Sequence, residues 1–412
     1  MSGHVTGTQP NPAMALRALL IFAALLLWAG SADPAMAAPD PAKADAPEIR
    51  LDTGAIDGAN FVIARPAHWN GSVLLIAHGF REANAQLVAD LNPAHFAYRT
   101  LLDEGWVVAK TSYRRNGMII RDAITDLENL RAHIAATCGE PRQVILEGDS
   151  MGGAIVTLMA EQFAAHYQGA VAVGAALQAR DAKSPVIFSL QPQIPLVFLT
   201  NRTELDGPRR YVTAPFDRPT PPVLLEVARD GHVNVNQRER LVALRTLLQL
   251  IDHESVTLPT VDGAPAFFNA TQDPEPGPSQ VRLLNEGGFE ARAAEVTAVF
   301  GNIVLTAQPS DFAQADIAPG TWFELIARGQ SYRVFYGRDF SSVPRGQWVA
   351  FPNADGFVLL GRNLDNAATT AGLNAGDVVV VHRGSGEPAP ESSDPSLNPA
   401  RIPGPPRSHR RR

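Results

Sequence analysis

The stretch from Gln143 to Phe163 sets the frame for the whole chain. Val144 to Leu146 is a short apolar run with the character of a buried strand. Gly148-Asp149-Ser150-Met151-Gly152 interrupts it. From Gly153 apolar residues return at helical spacing as Ile155, Leu158, Met159 and Phe163. Strand, Gly-x-Ser-x-Gly and helix, in that order, predict a sharp turn with a serine at its apex. Such a turn leaves no room for side chains on its flanks, which accounts for Gly148 and Gly152. It lifts the Ser150 hydroxyl clear of the sheet and aims the free N–H groups of the following helix toward it.

At 412 residues the chain is longer than one ordinary core organises, so two domains are expected. Hydrophobic residues make up 45% and charged residues 19%, which marks the bulk as globular. A formal net charge of −7 gives no general pull toward nucleic acid or anionic membrane, and no nucleic-acid partner is expected. Cys138, the only cysteine, has no internal disulfide partner and no cluster of ligands around it in sequence, so no metal site is expected.

Residues 1–37 read as an export signal. Arg17 supplies the positive region, Leu19 to Trp28 the apolar one, and Ala35-Met36-Ala37 a small-residue cleavage site near Ala37. The apolar run falls short of the roughly 20 residues of a membrane span. The mature protein is therefore expected to be secreted or periplasmic, without a stable span. Residues 38–47 form an Ala/Pro/Asp-rich leader.

Residues 48–254 read as the first domain. Strands are expected at Phe61 to Ile63, Val73 to Ala77, Trp106 to Ala109, Val144 to Leu146, Ala170 to Val173, Pro195 to Thr200 and Pro222 to Val227. Helices are expected at Ile124 to Ala136, after Ser150, and at Gln237 to Ile251. Strands alternating with helices, several of them apolar throughout, predict an α/β fold with a doubly wound, mostly parallel sheet. Residues 255–280 are a Pro/Gly-rich linker. Residues 281–382 hold short strand-like runs between Gly, Pro and Asp, the first of them Val296 to Val304, which predict a small all-β, barrel-like domain. The tail, 383–412, is Pro/Ser/Gly-rich with a basic end and is expected to be disordered.

A serine hydroxyl is a poor nucleophile at neutral pH and needs a base, and that base needs an orienting acid. His232, in Asp-Gly-His after the last strand of the first domain, is the candidate base. Glu204 and Asp206 follow the strand Pro195 to Thr200 and are both candidates for the acid, Glu204 being nearer the strand end. Backbone N–H groups of Phe80 and Met151 are the candidate oxyanion hole. His78, in His-Gly-Phe, is expected to be structural. Tyr113 and Arg114 end a neighbouring strand, where side chains can line a pocket.

His78-Gly79-Phe80, Gly148 to Gly153 and Asp230-Gly231-His232, on this strand order, resemble the α/β-hydrolase family over roughly residues 50 to 254. The resemblance implies hydrolysis of an ester, or less often an amide or thioester, through an acyl-enzyme, with no metal or organic cofactor. A carboxylesterase is the first expectation and a peptidase of the same fold the second. Most members carry Asp where Glu204 stands. The segment Ala175 to Gln193 is short for a lid and implies an open site suited to a soluble or polymer-derived ester. All candidate catalytic residues precede the linker, so the first domain is expected to suffice for small esters.

In the second domain, Phe300-Gly301-Asn302, Tyr336-Gly337, Val343-Pro344-x-Gly346, Gly361-Arg362-Asn363 and Gly376-Asp377-Val378 are similar to the C-terminal β-barrel of the S-adenosylmethionine hydroxide adenosyltransferase family. That resemblance implies an adenine-side role for Phe300, Asn302, Arg362 and Asn363, and an adenosine- or nucleotide-binding protein as a further alternative. The chain departs from it at Asn353-Ala354-Asp355-Gly356, where the family often has Asn-Ser-x-Gly, and in the domain that precedes the barrel.

Overall fold

The computed structural model describes residues 48–181, 184–253, 260–261, 264–265, 277–285 and 287–384. The expected signal, the leader, most of the linker and the tail beyond residue 384 lie outside the described residues. The two domains fall within one compact unit that begins at Ile49.

The first domain is built on eight strands: β1 (Arg50–Ile56), β2 (Ala59–Arg65), β3 (Ser72–Ala77), β4 (Val107–Thr111), β5 (Gln143–Asp149), β6 (Gly169–Val173), β9 (Leu196–Asn201) and β10 (Val223–Val227). A two-residue hairpin, β7 (Arg180–Asp181) and β8 (Ser184–Pro185), lies between β6 and β9. The sheet order is β1-β2-β4-β3-β5-β6-β9-β10. From β4 through β10 the pairings are parallel, and β1 and β2 add an antiparallel edge. Every residue of β3, β6 and β9 is buried, as helices on both faces require.

Helices α1 (Phe96–Asp103), α2 (Ile120–Cys138), α3 (Met151–Gln162), α4 (Asp206–Val212) and α5 (Gln237–Ile251) cover the sheet or follow its strand ends. In α2, Ile120, Ala123, Ile124, Leu127, Leu130 and Ile134 form one buried face at i, i+3, i+4 spacing. Burying each large aliphatic contributes about 1.5–3 kcal/mol before entropy is counted. Helix α5 starts on a capping box: Asn236 Oδ1 accepts from the Glu239 N–H at 2.9 Å, and the Asn236 N–H donates to Glu239 Oε2 at 2.8 Å. Strand β1 and helix α1 are additions to the sequence expectation. The first is an exposed edge strand with no apolar alternation, and the second is eight residues long with no side-chain cap.

A short pair, β11 (Thr260–Val261) and β12 (Ala264–Pro265), falls within the linker. The second domain runs from β13 (Arg282–Leu283) through β14 (Phe289–Val296), β15 (Ile303–Leu305), β16 (Trp322–Ala327), β17 (Gln330–Tyr336), β18 (Trp348–Pro352) and β19 (Val358–Arg362) to β20 (Val378–Arg383). Its order is β13-β14-β15-β19-β18-β17-β16-β20, and β20 pairs back onto β14, so seven strands close a barrel. The apolar run from Val296 to Val304 is not one strand. It spans the end of β14, a tight turn and the start of β15, and Gly301 in that turn has a φ of +57°. Helix α6 (Pro309–Gln314) drives Phe312 into the barrel core, with ring centroids 5.1 Å from Phe289, 5.3 Å from Phe323 and 4.9 Å from Tyr336. Helix α7 (Ala367–Ala371) follows β19. The buried apolar clusters of the two domains are separate.

Candidate active site

Strand β5 delivers the chain to Ser150, which stands at φ 55° and ψ −113° with α3 starting at the next residue. This is a conformation that L-residues avoid, held here by the packing around it. A Cβ on Gly148 would overlap the Gly152 carbonyl, and one on Gly152 would overlap the Ala77 carbonyl oxygen. Both positions therefore require glycine. Gly79 lies so close that a Cβ there would sit 3.3 Å from Ser150 Cβ. The chain thus brings the Gly79–Phe80 backbone alongside the serine. Met151 is the first residue of α3, among the N–H groups that have no intrahelical acceptor.

His232 sits in the loop between β10 and α5. Its Nε2 lies 2.8 Å from Ser150 Oγ, and its Nδ1 is hydrogen-bonded to Glu204 Oε1. Glu204 ends a single 3₁₀ turn, Arg202–Glu204, directly after β9. Its other oxygen, Oε2, is buried and has no hydrogen-bond partner among the described residues. Asp206 opens α4 and is exposed, so of the two candidate acids it is Glu204 that the fold brings to the imidazole. Partial desolvation of its ring works to lower the His232 pKa. The Glu204 carboxylate outweighs it, with further help from Asp149 and Asp339, and the pKa is raised.

The loops carrying Glu204 and His232 are laced together by polar residues that sequence reasoning passed over. Asn201 Nδ2 donates to the Asn234 carbonyl at 2.9 Å, and the Asn234 N–H donates to Asn201 Oδ1 at 2.9 Å. Thr203 Oγ1 donates to the Gly231 carbonyl at 2.9 Å. Asparagine and threonine at a strand end were the available signal. Behind the serine, Arg240 of α5 donates from Nη1 to Glu147 Oε1 at 2.6 Å and to Asp149 Oδ1 at 2.8 Å. Its Nη2 reaches Asp149 Oδ2 at 3.0 Å. Burial pushes the Glu147 carboxyl up, against the pull of Arg240.

His78 is not part of the reacting group. It is buried, stacked on Tyr113 with centroids 3.9 Å apart, and its ring nitrogens face the Gly79 and Ser112 carbonyls. Burial, reinforced by Arg81, holds its pKa down to about 3, so the ring stays neutral. Tyr113 is fully buried and donates to the His78 carbonyl at 3.1 Å, so it packs beneath the site instead of lining an open pocket. Arg114 is committed to Asp126 through Nε and Nη2 at 2.9 and 2.6 Å. Between β6 and β9 the described residues contain no helix. The segment is fastened by buried Glu161, which accepts from the Ser189 and Leu190 N–H groups at 2.9 Å and from Tyr211 at 2.7 Å.

The four positions expected on an adenine side are divided. Phe300 lines a cleft of about 630 Å³, together with Glu82, Gln86, Arg345 and Asn366. Asn302 keeps its Oδ1 buried without a partner among the described residues. Arg362 spends its guanidinium on the Gly346 carbonyl, Thr370 and Asp365. Asn363 donates to the Val343 carbonyl at 2.8 Å. The last two hold barrel loops. Among the described residues no group of three or more His, Cys, Asp or Glu is arranged to hold a metal.

Residues 70–213 match the family described as "Serine aminopeptidase, S33", and residues 298–380 match the "SAM hydroxide adenosyltransferase C-terminal domain". An o-phthalyl amidase from Xanthobacter agilis is 31% identical over 124 residues, which are 29% of this chain and 25% of that protein. The match thus spans about a quarter of that relative's length. Among solved structures, an acylaminoacyl peptidase from Pyrococcus horikoshii is similar at 12% identity and a TM-score of 0.39, over 52% of this chain and 42% of that one. A lidless α/β serine hydrolase from Xanthomonas campestris is similar at 14% identity and a TM-score of 0.35, over 51% and 97%. The chain thus carries an α/β-hydrolase domain, followed by a barrel of the SAM hydroxide adenosyltransferase C-terminal type.

Proposed function

We propose that this protein is an exported serine hydrolase that cleaves carboxylic esters through an acyl-enzyme. The observation that carries the reading is the position of His232 between Ser150 Oγ and Glu204. Ser150 attacks the acyl carbon while His232 Nε2 takes its proton. Glu204 holds the imidazole in the tautomer with Nδ1–H and stabilises the imidazolium that forms. The Phe80 and Met151 N–H groups receive the oxyanion, a contribution of roughly 3 kcal/mol per donor. His232 then returns the proton to the leaving alcohol, and water repeats the sequence to release the acid. The substrate is a soluble or polymer-derived ester, in keeping with the short segment between β6 and β9.

Amide hydrolysis is the second reading, favoured by the similarity to an o-phthalyl amidase. The same groups serve it, the harder task being protonation of a leaving amine by His232. A matched panel of p-nitrophenyl esters and anilides, run beside a Ser150→Ala control, decides between the two. Turnover of anilides at rates equal to esters would favour the amide reading, and turnover surviving in the control would remove both.

A further inference from the structure

The tip of the β18–β19 hairpin is docked, although hairpin tips are ordinarily solvent-exposed. Ala354 in that tip is 4% exposed. Its carbonyl accepts from Asn236 Nδ2 at 3.2 Å, and the neighbouring Pro352 carbonyl accepts from Asn234 Nδ2 at 3.4 Å. Asn234 and Asn236 follow His232 in the same loop, and Asn236 itself is 3% exposed. On the other side of the site, Arg345 of the barrel pairs with Glu82 at 3.2 Å. Glu82 stands two residues after Phe80. Among the described residues these hydrogen bonds and this ion pair thus join the barrel to the loop carrying the base and to the loop carrying an oxyanion donor. These contacts are polar, and among the described residues no apolar cluster joins the two domains.

We propose that the β-barrel is a positioning part of the catalytic site: Pro352 and Ala354 hold the His232 loop, and Arg345 holds the Phe80 loop. This rests on the hydrolase reading above. The His232 loop needs such a brace. Val233, next to the histidine, stands at φ 53°, a conformation that is unfavourable for a β-branched residue, while Gly231 at φ 126° adopts one that glycine tolerates. The Asn234 and Asn236 side of the loop is fixed to Asn201 and to the α5 cap, and the hairpin carbonyls meet the same two side chains from the barrel. Asp339 of the barrel adds its negative charge to those of Glu204 and Asp149 around the imidazole. The departure at Ala354 from the pattern of the resembled barrels falls at the docking point. The separate cores still let each domain fold around its own apolar cluster. What the barrel contributes is placement, to which catalytic groups are sensitive, since a misplacement of about 1 Å can cost on the order of 10²-fold in rate.

The test uses the full chain. Arg345→Glu breaks the Glu82 pair, and the swap Glu82→Arg with Arg345→Glu restores it with reversed polarity. Asn236→Ser keeps an oxygen for the α5 cap but loses the donor to Ala354. Two readouts are taken: kcat and KM on an activated ester, and deuterium exchange of peptides covering residues 78–88 and 229–236. The expected result is a fall in kcat on the order of tenfold with KM within about twofold for each broken contact. Faster exchange should be confined to the loop whose contact was cut, with both effects reversed in the swap. Unchanged exchange in both loops overturns the proposal, as does a swap that fails to recover what Arg345→Glu lost. If the unaltered protein neither hydrolyses nor labels with a fluorophosphonate, the hydrolase reading is what fails, and the exchange measurement still decides the brace.

Discussion

His232 Nε2 lies 2.8 Å from Ser150 Oγ, although 82 positions of sequence separate the two residues. The distance is set by two strand ends. Strand β5 fixes the serine, and β10, three strands further across the sheet, launches the loop that swings the imidazole back over it. Substitution of His232 by Ala should lower kcat by several orders of magnitude, because the base is lost while the oxyanion donors remain. A loss of less than about tenfold would place the base elsewhere.

Glu204 and Asp206 are two residues apart but should respond differently to neutralisation. Glu204→Gln replaces the carboxylate by an amide that can donate to Nδ1 and so select the wrong His232 tautomer, at a cost of about 10⁴ in kcat in a comparable triad. Asp206→Asn removes an exposed charge at the start of α4 and should change the rate by less than about twofold, in line with a helix-end charge effect of 0.3–1 kcal/mol on stability alone. Steady-state kinetics on one activated ester measure both. Equal and mild effects would contradict the assignment of the acid.

The pH profile has a defined sign. His232 must be neutral to accept a proton, and its pKa is raised, with burial opposing and Glu204 dominating the rise. The acid limb of kcat/KM should therefore lie above the ordinary histidine value of about 6.5, and activity should fall as pH drops through it. For stability the sign is opposite. A histidine whose folded pKa is raised stabilises the fold below its unfolded pKa, and that contribution is lost as pH rises through the folded value. The side chain is 44% exposed, so solvent screening should keep the thermal-midpoint change small. A wild-type acid limb at or below 6.5 would contradict the pairing with Glu204.

Arg240 is the counter-ion of a carboxylate that the fold buries completely. Glu147 is 0% exposed and sits on β5, three residues before the nucleophile. Arg240→Met should destabilise the protein by about 3–5 kcal/mol, because the buried carboxyl is left without its partner. Urea unfolding monitored by circular dichroism measures it. A loss below about 1 kcal/mol would show that the pair is dispensable to the fold.

Much of this was legible in the sequence where local rules act. The elbow is signalled by two glycines whose absent side chains are demanded by nearby carbonyls, and α5 has the bounds expected for it, Gln237 to Ile251. The seven sheet strands from β2 through β10 are apolar runs of ordinary length. Distance from the strand end favoured Glu204 over Asp206, but the cause of the choice was not legible, because it lies in a single 3₁₀ turn that spends three residues after β9. Nor was the turn at Gly301 inside the apolar run from Val296 to Val304, where one positive-φ residue reverses the chain. The docking of Ala354 on Asn236 was hidden for a different reason. It joins residues 118 positions apart through a backbone carbonyl, which any residue supplies.

The most direct test of a Ser150 nucleophile is active-site labelling. The full-length protein is treated with a fluorophosphonate probe, digested, and the modified peptide is mapped. The expected result is stoichiometric modification at Ser150 alone, abolished in a folded Ser150→Ala variant and strongly slowed in His232→Ala. Modification at another residue, or undiminished labelling and ester hydrolysis in pure Ser150→Ala protein, would contradict it.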